Sequence, residues 1–383
     1  MTLLEGDLMA GKARISDVAR RARVSVGTVS HVLTGSANVS AARRDRVLKA
    51  IEALGYVPNF HAQGLRRTLS RVVGMCFPHV STAYLNTLSE TLEEIASSNG
   101  YGVMHVFSRH DPAIELDRIK ELIRYRVDGL ILLPSTAPKP ALDFASHKSV
   151  PLVIVDRPLE DGRFDEVILD NRKAMRELAR QLVDGGHGRI VFVCRSRSRL
   201  STQHRIAALE AVRRQPGRHV AVDVVEFRDD EAFLHDELAR LLRGVHPRTA
   251  IIVSNSHQAS VVLGFLRQLG IACPRDVSVV AFDDPEWARL VTPPLSVVRQ
   301  PAAAMAQAAW ELLMQRIAGS CQPPRTIALE PAIELRESVR NAAQADGAVT
   351  QRAMLDAASP HAPAPVLRPR RARRDGARPP RTR

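Results

Sequence analysis

Polar side chains able to hold a small molecule stand directly after several short apolar runs of the chain. They comprise three carboxylates, one guanidinium and one amide: Asp156, Arg157, Asp170, Asn255 and Asp283. In parallel α/β proteins, ligands bind outside the carboxyl ends of strands, which is where these groups stand if the runs are strands. A cleft lined by such hydrogen-bonding groups suits a hydroxyl-rich ligand. Because one polar residue after a strand is usually ordinary loop, the prediction depends on several of them converging.

Spacings that mark common catalytic and metal sites are absent from the sequence. There is no G-x-x-x-x-G-K-[ST], G-x-S-x-G or H-E-x-x-H, and His235 has no second histidine four residues later. The cysteines are far apart and show neither a CxxC pair nor Cys/His metal spacing. We therefore predict no enzymatic activity, no cofactor and no metal site. We also predict reduced thiols in the core, as in cytoplasmic proteins: Cys76, Cys194, Cys273 and Cys321.

Length and composition place the chain among soluble proteins. It has 383 residues, of which 45% are hydrophobic and 4% aromatic, and this length predicts two or three domains. No apolar run reaches the roughly eighteen residues needed to span a bilayer. Glu5 and Asp7 stand where a secretory signal has its apolar core. We expect a cytoplasmic protein without a membrane partner.

The charge of the chain is concentrated at its two ends. Residues 1–71 hold 12 Lys and Arg against 5 Asp and Glu, and residues 341–383 hold 9 against 3. The whole chain carries +13, so the stretch between these ends is neutral. A small basic domain on a neutral body is expected where that domain binds a polyanion.

The long middle of the chain alternates between two patterns. Short apolar runs occur at 72–77, 103–107, 129–133, 152–155, 167–169, 190–194, 250–253 and 277–282. Amphipathic stretches with helical spacing lie between them, at 85–98, 172–183, 202–214 and 258–269. The alternation predicts parallel sheets covered by helices, and there is too much of it for one sheet. We expect two lobes.

Three short helices are predicted near the start of the chain. Apolar residues spaced i, i+3, i+4 and i+7 form the face of the first helix: Ile15, Val18, Ala19 and Ala22. Ser25 is a suitable N-cap for a second helix, and Ser40 for a third that ends at Gly55. This layout, with basic residues around it, is typical of a helix-turn-helix domain. On periodicity alone, a small helical bundle with a solvated basic surface fits as well.

Three segments of this region carry a longer pattern: ISDVA at 15–19, VSVGTVSHVLTG at 24–35 and IEALGYVPN at 51–59. The pattern closely resembles the DNA-binding domain of LacI/GalR-type bacterial transcriptional regulators. The resemblance implies that the second helix enters the major groove of double-stranded DNA. Base edges would be contacted by Val26, Gly27 and His31. Phosphates would be held by the hydroxyls of Ser25, Thr28 and Ser30.

Two residues depart from that family pattern. Arg23 stands where the family usually has glycine in the turn, and His31 where it usually has arginine. Arg23 implies a slightly altered turn or one additional phosphate contact. Gly27 offers no side chain to a base, so the operator sequence does not follow by analogy.

The resemblance continues into a hinge over residues 58–71. In the family this segment folds on the operator, paired with its dimer mate, and a leucine wedges into the minor groove. Leu65 matches that leucine; the alternative is that Leu65 only packs against the body. Gln63 and Gly64 replace the usual residues, and glycine costs a helix about 1 kcal/mol, so this hinge is expected to fold less readily. The implied partners are a pseudo-palindromic operator and a second copy of the chain.

Further matching segments lie in the middle of the chain: VPLVIVDR at 150–157, LDN at 169–171, SVVAFDD at 278–284 and PLSVVRQP at 294–301. They resemble the family's effector domain, which is similar to periplasmic sugar-binding proteins. The resemblance implies a carbohydrate-like effector held by Tyr84, Asp156, Arg157, Arg205, Asn255 and Asp283. An arginine between two carboxylates would itself be held by charge-assisted hydrogen bonds. Departures at Ser256, Ala208 and Ala306 leave the identity of the effector open.

We therefore predict an α/β protein with a small all-α head. The expected parts are an extension (1–14), a helix-turn-helix head (15–57), a hinge (58–71), a two-lobed effector-binding and dimerisation body (72–340) and a disordered tail rich in Arg, Pro and Ala (341–383). The predicted function is that of an effector-controlled repressor of transcription in the bacterial cytoplasm, at the nucleoid when bound to its operator. The alternative is a constitutive DNA-binding regulator with a vestigial sensor. The tail either adds non-specific DNA affinity or has no function.

Overall fold

A computed structural model describes residues 13–33, 39–56, 69–79, 82–159, 161–217, 219–227, 230–243 and 248–340. The predicted hinge leucine, Leu65, and the predicted tail lie outside these residues. The helices are α1 Ile15–Ala22, α2 Val26–Leu33, α3 Ala41–Leu54, α4 Ala83–Ser98, α5 Pro112–Arg124, α6 Lys139–His147, α7 Asn171–Asp184, α8 Leu200–Arg213, α9 Glu231–Leu241, α10 Ser256–Gln268 and α11 Ala302–Ile317.

The strands are β1 Val72–Phe77, β2 Gly102–Phe107, β3 Gly129–Leu132, β4 Leu152–Asp156, β5 Asp165–Leu169, β6 Arg189–Cys194, β7 Ala221–Glu226, β8 Thr249–Val253, β9 Val277–Phe282, β10 Ser296–Arg299, β11 Thr326–Leu329 and β12 Ala332–Glu334. They form two six-stranded sheets. The apolar runs of the sequence had not predicted four of these strands: β7, β10, β11 and β12. Among the described residues, no helix is long and apolar enough to cross a membrane.

The head is a three-helix domain, as the spacing predicted. Helices α1, α2 and α3 bury a common apolar core that includes Val18, Val29 and Val47. The first helix ends at Arg23, whose φ of 55° and ψ of 50° are the left-handed conformation that glycine favours. The amide of Val24 donates to the carbonyl of Ala19 at 3.0 Å, which completes the cap. The tight turn therefore forms without glycine, with Arg23 in a costly backbone conformation.

The two sheets of the body have the same strand order. The N lobe is the sheet β11-β5-β4-β3-β1-β2, and the C lobe is the sheet β12-β10-β9-β8-β6-β7. All pairings are parallel except that of β10 with β12. Position by position, β4 of the N lobe corresponds to β9 of the C lobe, and β5 corresponds to β10. The prediction of two parallel-sheet lobes is confirmed.

Three segments of chain pass between the lobes. The first joins β5 to α7, which packs in the core of the C lobe. The second joins β10 to α11, which returns to the core of the N lobe. The third joins β11 to β12. Each lobe therefore includes a segment that comes after residues of the other lobe in the sequence.

The thiols agree only in part with the prediction. Cys76 and Cys194 are buried strand residues, and Cys273 is half-buried. Cys321 is exposed, so its expected place in the core was wrong. It lies beyond the end of α11, in a segment without helix or strand.

Candidate functional site: an exposed helix and an interlobe cavity

Helix α2 presents one face to the core of the head and the other to solvent. Ser25 caps it, because its Oγ accepts a hydrogen bond from the amide of Thr28 at 3.2 Å. Val29 and Val32 are buried, whereas the predicted DNA-contacting residues are exposed or half-buried: Ser25, Val26, Gly27, Thr28, Ser30 and His31. Because the helix is amphipathic, all six residues that were predicted to contact DNA from this region lie outside the core of the head.

Two residues at the start of α2 are unusual for a protein surface. Val26 is 43% exposed although it is a large apolar side chain. Gly27 lies inside the helix, and a Cβ built on it would meet only the Oγ of Ser25, at 3.7 Å. Neither packing nor backbone conformation requires glycine there. Its absence of a side chain leaves helix backbone accessible at this surface.

A cavity lies between the N and C lobes, at the carboxyl ends of their strands. The volume of this cavity is about 100 Å³. Its walls include all six residues predicted to bind the effector: Tyr84, Asp156, Arg157, Arg205, Asn255 and Asp283. Asn171 and Gln300, from two of the crossing segments, also line it. We call this space the interlobe cavity.

Two aspartates occupy corresponding places in the two lobes. Asp156 ends β4 and Asp283 follows β9, and both have a positive φ, of 69° and 70°. Left-handed residues other than glycine are found preferentially at functional sites. The side chain of Asp156 is 22% exposed and lies 3.8 Å from the Nε of Arg157. Asp283 is only 4% exposed.

Asp283 is held as a buried acceptor. The Nε2 of Gln300 donates to its Oδ1 at 2.7 Å, and the backbone amide of Ser256 also donates to it. Burial nevertheless raises the pKa of Asp283 to about 6, since the hydrogen bonds offset only part of the lost hydration. A ligand that donates a hydrogen bond to this carboxylate would stabilise its charged form.

Arg205 is not anchored as predicted. Its Nε donates to the Oδ1 of Asn171 at 2.7 Å and its Nη1 to the carbonyl of Ser254 at 3.1 Å. Its guanidinium carbon lies 3.5 Å from the centroid of the Phe282 ring. The prediction that two carboxylates hold Arg205 by hydrogen bonds is wrong. The side-chain amide oxygen of Asn171 and the backbone carbonyl of Ser254 accept these hydrogen bonds instead. Burial lowers the pKa of Arg205 to about 10, so it remains charged at neutral pH.

The remaining predicted residues serve the scaffold as well as the cavity. The hydroxyl of Tyr84 donates to the Sδ of Met305 at 3.4 Å, and burial raises its pKa well above the usual range. The Nη1 of Arg157 donates to the carbonyl of Pro134 at 2.5 Å. Asn255 caps α10 by accepting from the amide of Gln258 at 2.8 Å.

Four further ionisable residues of the cavity were missed by the sequence analysis: His79, His110, Arg195 and Arg199. His79 and Arg195 follow β1 and β6 closely, so the strand-end rule already applied to the aspartates would have found them. Arg199 lies in the polar run after β6 and is the N-cap residue of α8.

Comparison with known proteins identifies the family of the chain. Residues 14–59 match the family model of bacterial regulatory proteins of the lacI family, and residues 179–339 match that of periplasmic binding protein-like domains. The HTH-type transcriptional regulator GalS of Salmonella typhimurium is 32% identical over 338 residues, which cover 85% of this chain and 96% of GalS. The chain belongs to the LacI family of bacterial regulatory proteins.

Solved structures of related proteins show the same fold. The lac repressor dimer bound to operator and the anti-inducer ONPF superposes with a TM-score of 0.75 at 22% identity, covering 86% of this chain and 99% of that one. The complex of the transcriptional regulator CelR with cellobiose has a TM-score of 0.62 at 26% identity, covering 85% and 100%. As a LacI-family member, the protein is a DNA-binding transcriptional regulator, and its head is the part that matches the lacI model.

Proposed function

We propose that this LacI-family protein is a homodimeric repressor whose affinity for a pseudo-palindromic operator changes when a hydroxylated small molecule occupies the interlobe cavity. The observation that carries the proposal is that all six predicted effector-binding residues, contributed by both lobes, line one cavity. The related CelR has been solved with cellobiose, which supports a carbohydrate-like ligand. The protein acts in the cytoplasm and catalyses no reaction in this role.

The head (15–57) is the proposed DNA-binding part, linked through the hinge (58–71) to the body (72–340). Ser25, Thr28 and Ser30 fix α2 on phosphates, which sets its register in the groove. Val26, with its exposed apolar side chain, contacts the methyl of a thymine or the edge of a base. Leu65 remains the proposed minor-groove wedge of the hinge.

The proposed coupling between the cavity and the DNA depends on two of the three crossing segments. Arg205 is hydrogen-bonded to Asn171 and Asp283 to Gln300, and both partners lie where the chain passes between lobes. A ligand that forms hydrogen bonds with Arg205 and Asp283 therefore changes the relative free energies of different angles between the lobes. It shifts the population only if its affinity differs between the two lobe arrangements.

The test combines ligand screening with operator binding. The full chain is used to select its operator from genomic DNA, and sugars, sugar phosphates, sugar acids and nucleobases are then screened for a change in operator affinity. Asp283→Ala should abolish the response to a positive compound while leaving ligand-free operator affinity near wild type. Asp117→Ala, an exposed residue on α5, serves as the matched control.

Two results would contradict the proposal. If Asp283→Ala and Arg205→Ala both respond as wild type does, the effector is bound elsewhere. If no compound changes operator affinity or thermal stability, the protein is the constitutive regulator considered as the alternative.

A further inference from the structure

The helices α4 and α11 pack against each other on the N lobe and leave a surface groove between them. Its volume is about 720 Å³. Three apolar side chains line it: Ile95, Trp310 and Met314. Glu94 and Glu311 also line it, whereas no lysine or arginine of the described residues does so. We call this surface the α4–α11 groove.

The carboxylates around the α4–α11 groove lack the ion pairs that other helices of the body form. Each of α5, α6, α8 and α9 has an Asp or Glu paired with a Lys or Arg three or four residues away. Helix α4 contains Glu90, Glu93 and Glu94 but no basic residue, and none of the three forms a salt bridge within the part of the chain that the structure describes. Glu311 accepts a hydrogen bond from the neutral amide of Gln307 at 2.7 Å. The groove therefore combines negative charge with apolar surface, which suits a ligand that is both cationic and apolar.

The tail of the same chain carries both kinds of group. Residues 368–383 hold eight arginines against one aspartate. Val366 and Leu367 stand immediately before them and are the last large apolar residues of the sequence. Arginine binds carboxylates through its planar guanidinium, and its aliphatic stem packs on apolar surface. The segment 366–374 therefore matches the groove in both charge and apolar content.

The tail is also long enough to reach the groove. The described chain ends on the C lobe, where the amide of Arg340 donates to the Oγ of Ser278 at 3.0 Å. The 25 residues 341–365 then span at most about 80 to 90 Å. A body of this length has a radius of gyration of only about 18 Å, so either lobe is within reach. Because a tethered segment has an effective concentration in the millimolar range, even weak docking would be populated.

The α4–α11 groove adjoins the segment that leads to the head. The rings of Trp310 and Tyr101 meet edge-on with centroids 5.5 Å apart. The guanidinium carbon of Arg71, in the last residue of the hinge, lies 5.0 Å from the centroid of the Tyr101 ring. A tail bound in the groove would therefore lie beside the connection between the body and the head.

We propose that the tail segment 366–374 docks in the α4–α11 groove of its own chain and is thereby withheld from DNA. Glu94 and Glu311 bind arginines that would otherwise contact phosphates. Docking therefore lowers the non-specific DNA affinity of the chain, and a high concentration of DNA displaces the segment from the groove. The inference depends on the DNA-binding role of the family and not on the effector.

Zero-length crosslinking of the full chain tests the contact. Arg373→Lys/Arg374→Lys keeps the charge of the segment and supplies amines that a carbodiimide joins to adjacent carboxylates. We expect crosslinks from these lysines to Glu94 and Glu311 to exceed those to Glu286, an exposed glutamate of the C lobe, at least about fivefold. Mass spectrometry of the digested protein measures both.

Two changes in the tail serve as controls for the crosslinking. Arg352→Lys supplies an amine outside the docking segment and should show no preference for the groove. Leu367→Ser, added to Arg373→Lys/Arg374→Lys, removes an apolar anchor but no reactive group. It should lower the yield of the groove crosslinks while leaving the other crosslinks unchanged.

Binding to a random-sequence duplex at low salt tests the consequence. Glu94→Gln/Glu311→Gln should bind about threefold more tightly than wild type, because the released arginines contact phosphates. Asp117→Asn/Glu121→Gln on α5 changes the net charge equally and should alter the affinity less. Replacing all eight arginines of 368–383 with glutamine should remove the difference between wild type and the groove variant. Operator binding verifies that each variant is folded.

Three results would overturn the inference. The first is an even distribution of crosslinks between the groove glutamates and Glu286. The second is that the groove crosslinks occur only in a product with the mass of two chains. The third is a gain in DNA affinity for Glu94→Gln/Glu311→Gln that persists without the tail arginines. Each of them would leave the proposed control by an effector intact, because that control does not involve the tail.

Discussion

The N and C lobes have the same strand order but secure their fifth strand by different chemistry. In the N lobe, β5 begins with Asp165, which is buried and accepts two hydrogen bonds from Arg316 of α11, at 2.6 and 3.1 Å. In the C lobe, β10 begins with Ser296, also buried, whose amide donates to the Oγ of Ser338 at 2.7 Å. The fifth strand is thus held by an ion pair in the N lobe and by an amide-to-hydroxyl hydrogen bond in the C lobe.

The cavity residues repeat this contrast. Asp156 and Asp283 share a strand position and a backbone conformation, yet one is partly exposed beside an arginine and the other is deeply buried. Topology therefore determines where a side chain stands. Its contacts differ between the lobes, because Asp283 accepts a hydrogen bond from Gln300 of a crossing segment whereas Asp156 lies beside its chain neighbour Arg157.

The largest effect is expected from breaking the ion pair of the N lobe. Arg316→Met leaves the carboxylate of Asp165 buried without its cation, which should lower the free energy of unfolding by about 3 kcal/mol. Urea unfolding of the full chain measures it. Lys139→Met, in the exposed pair with Asp143, should cost less than about 1 kcal/mol.

Ser338→Ala gives the C-lobe counterpart. It removes a hydroxyl that donates to the carbonyl of Val279 and accepts from Ser296, for an expected loss of about 2 kcal/mol. If Arg316→Met lowers the free energy of unfolding by no more than Lys139→Met does, the ion pair does not stabilise the N lobe in the way described.

Asp283→Asn should stabilise the ligand-free protein at neutral pH. The folded pKa of about 6 exceeds the unfolded value of about 3.9, so the native state binds the extra proton between these values. Stability from this group is therefore present at low pH and is lost as pH rises through 6, by at most about 3 kcal/mol. Urea unfolding at pH 4 and pH 7 should show a gain for the variant only at pH 7.

Asp156→Asn is the matched change in the other lobe. Because Asp156 retains solvent contact and a nearby arginine, its replacement should bring no such gain. A pH-dependent gain of equal size for both variants would show that the shared strand position, rather than burial, determines the effect on stability.

A smaller effect tests the left-handed backbone outside both lobes. Arg23→Gly should stabilise the head by about 1 kcal/mol, because glycine adopts the observed φ of 55° without steric cost. Arg21→Gly, two residues earlier inside α1, should destabilise it by a similar amount. Calorimetry of the full chain compares the two, and a change in the same direction for both would contradict the assigned turn.

The strands buried on both faces were predictable from the sequence because they form continuous apolar runs. The strands that were missed lie mostly at sheet edges, where β11 alternates exposed and half-buried residues and β7 carries charged ones. The cavity aspartates were predictable because they follow strands. The partners of Arg205 were not, since Asn171 reaches it from 34 residues away across a crossing segment whose path only the fold defines.

The positive φ shared by Asp156 and Asp283 also limits how the proposed binding site can diverge in evolution. Only glycine, asparagine and aspartate occupy the left-handed region at little cost, so most substitutions there would strain the backbone in addition to removing an acceptor. Positions on helices, such as Tyr84 and Ser201, carry no such restriction. If the cavity holds the effector as proposed, mutations that change ligand preference are therefore expected mainly on the helical walls of the cavity, while the two strand ends accept only a few residue types.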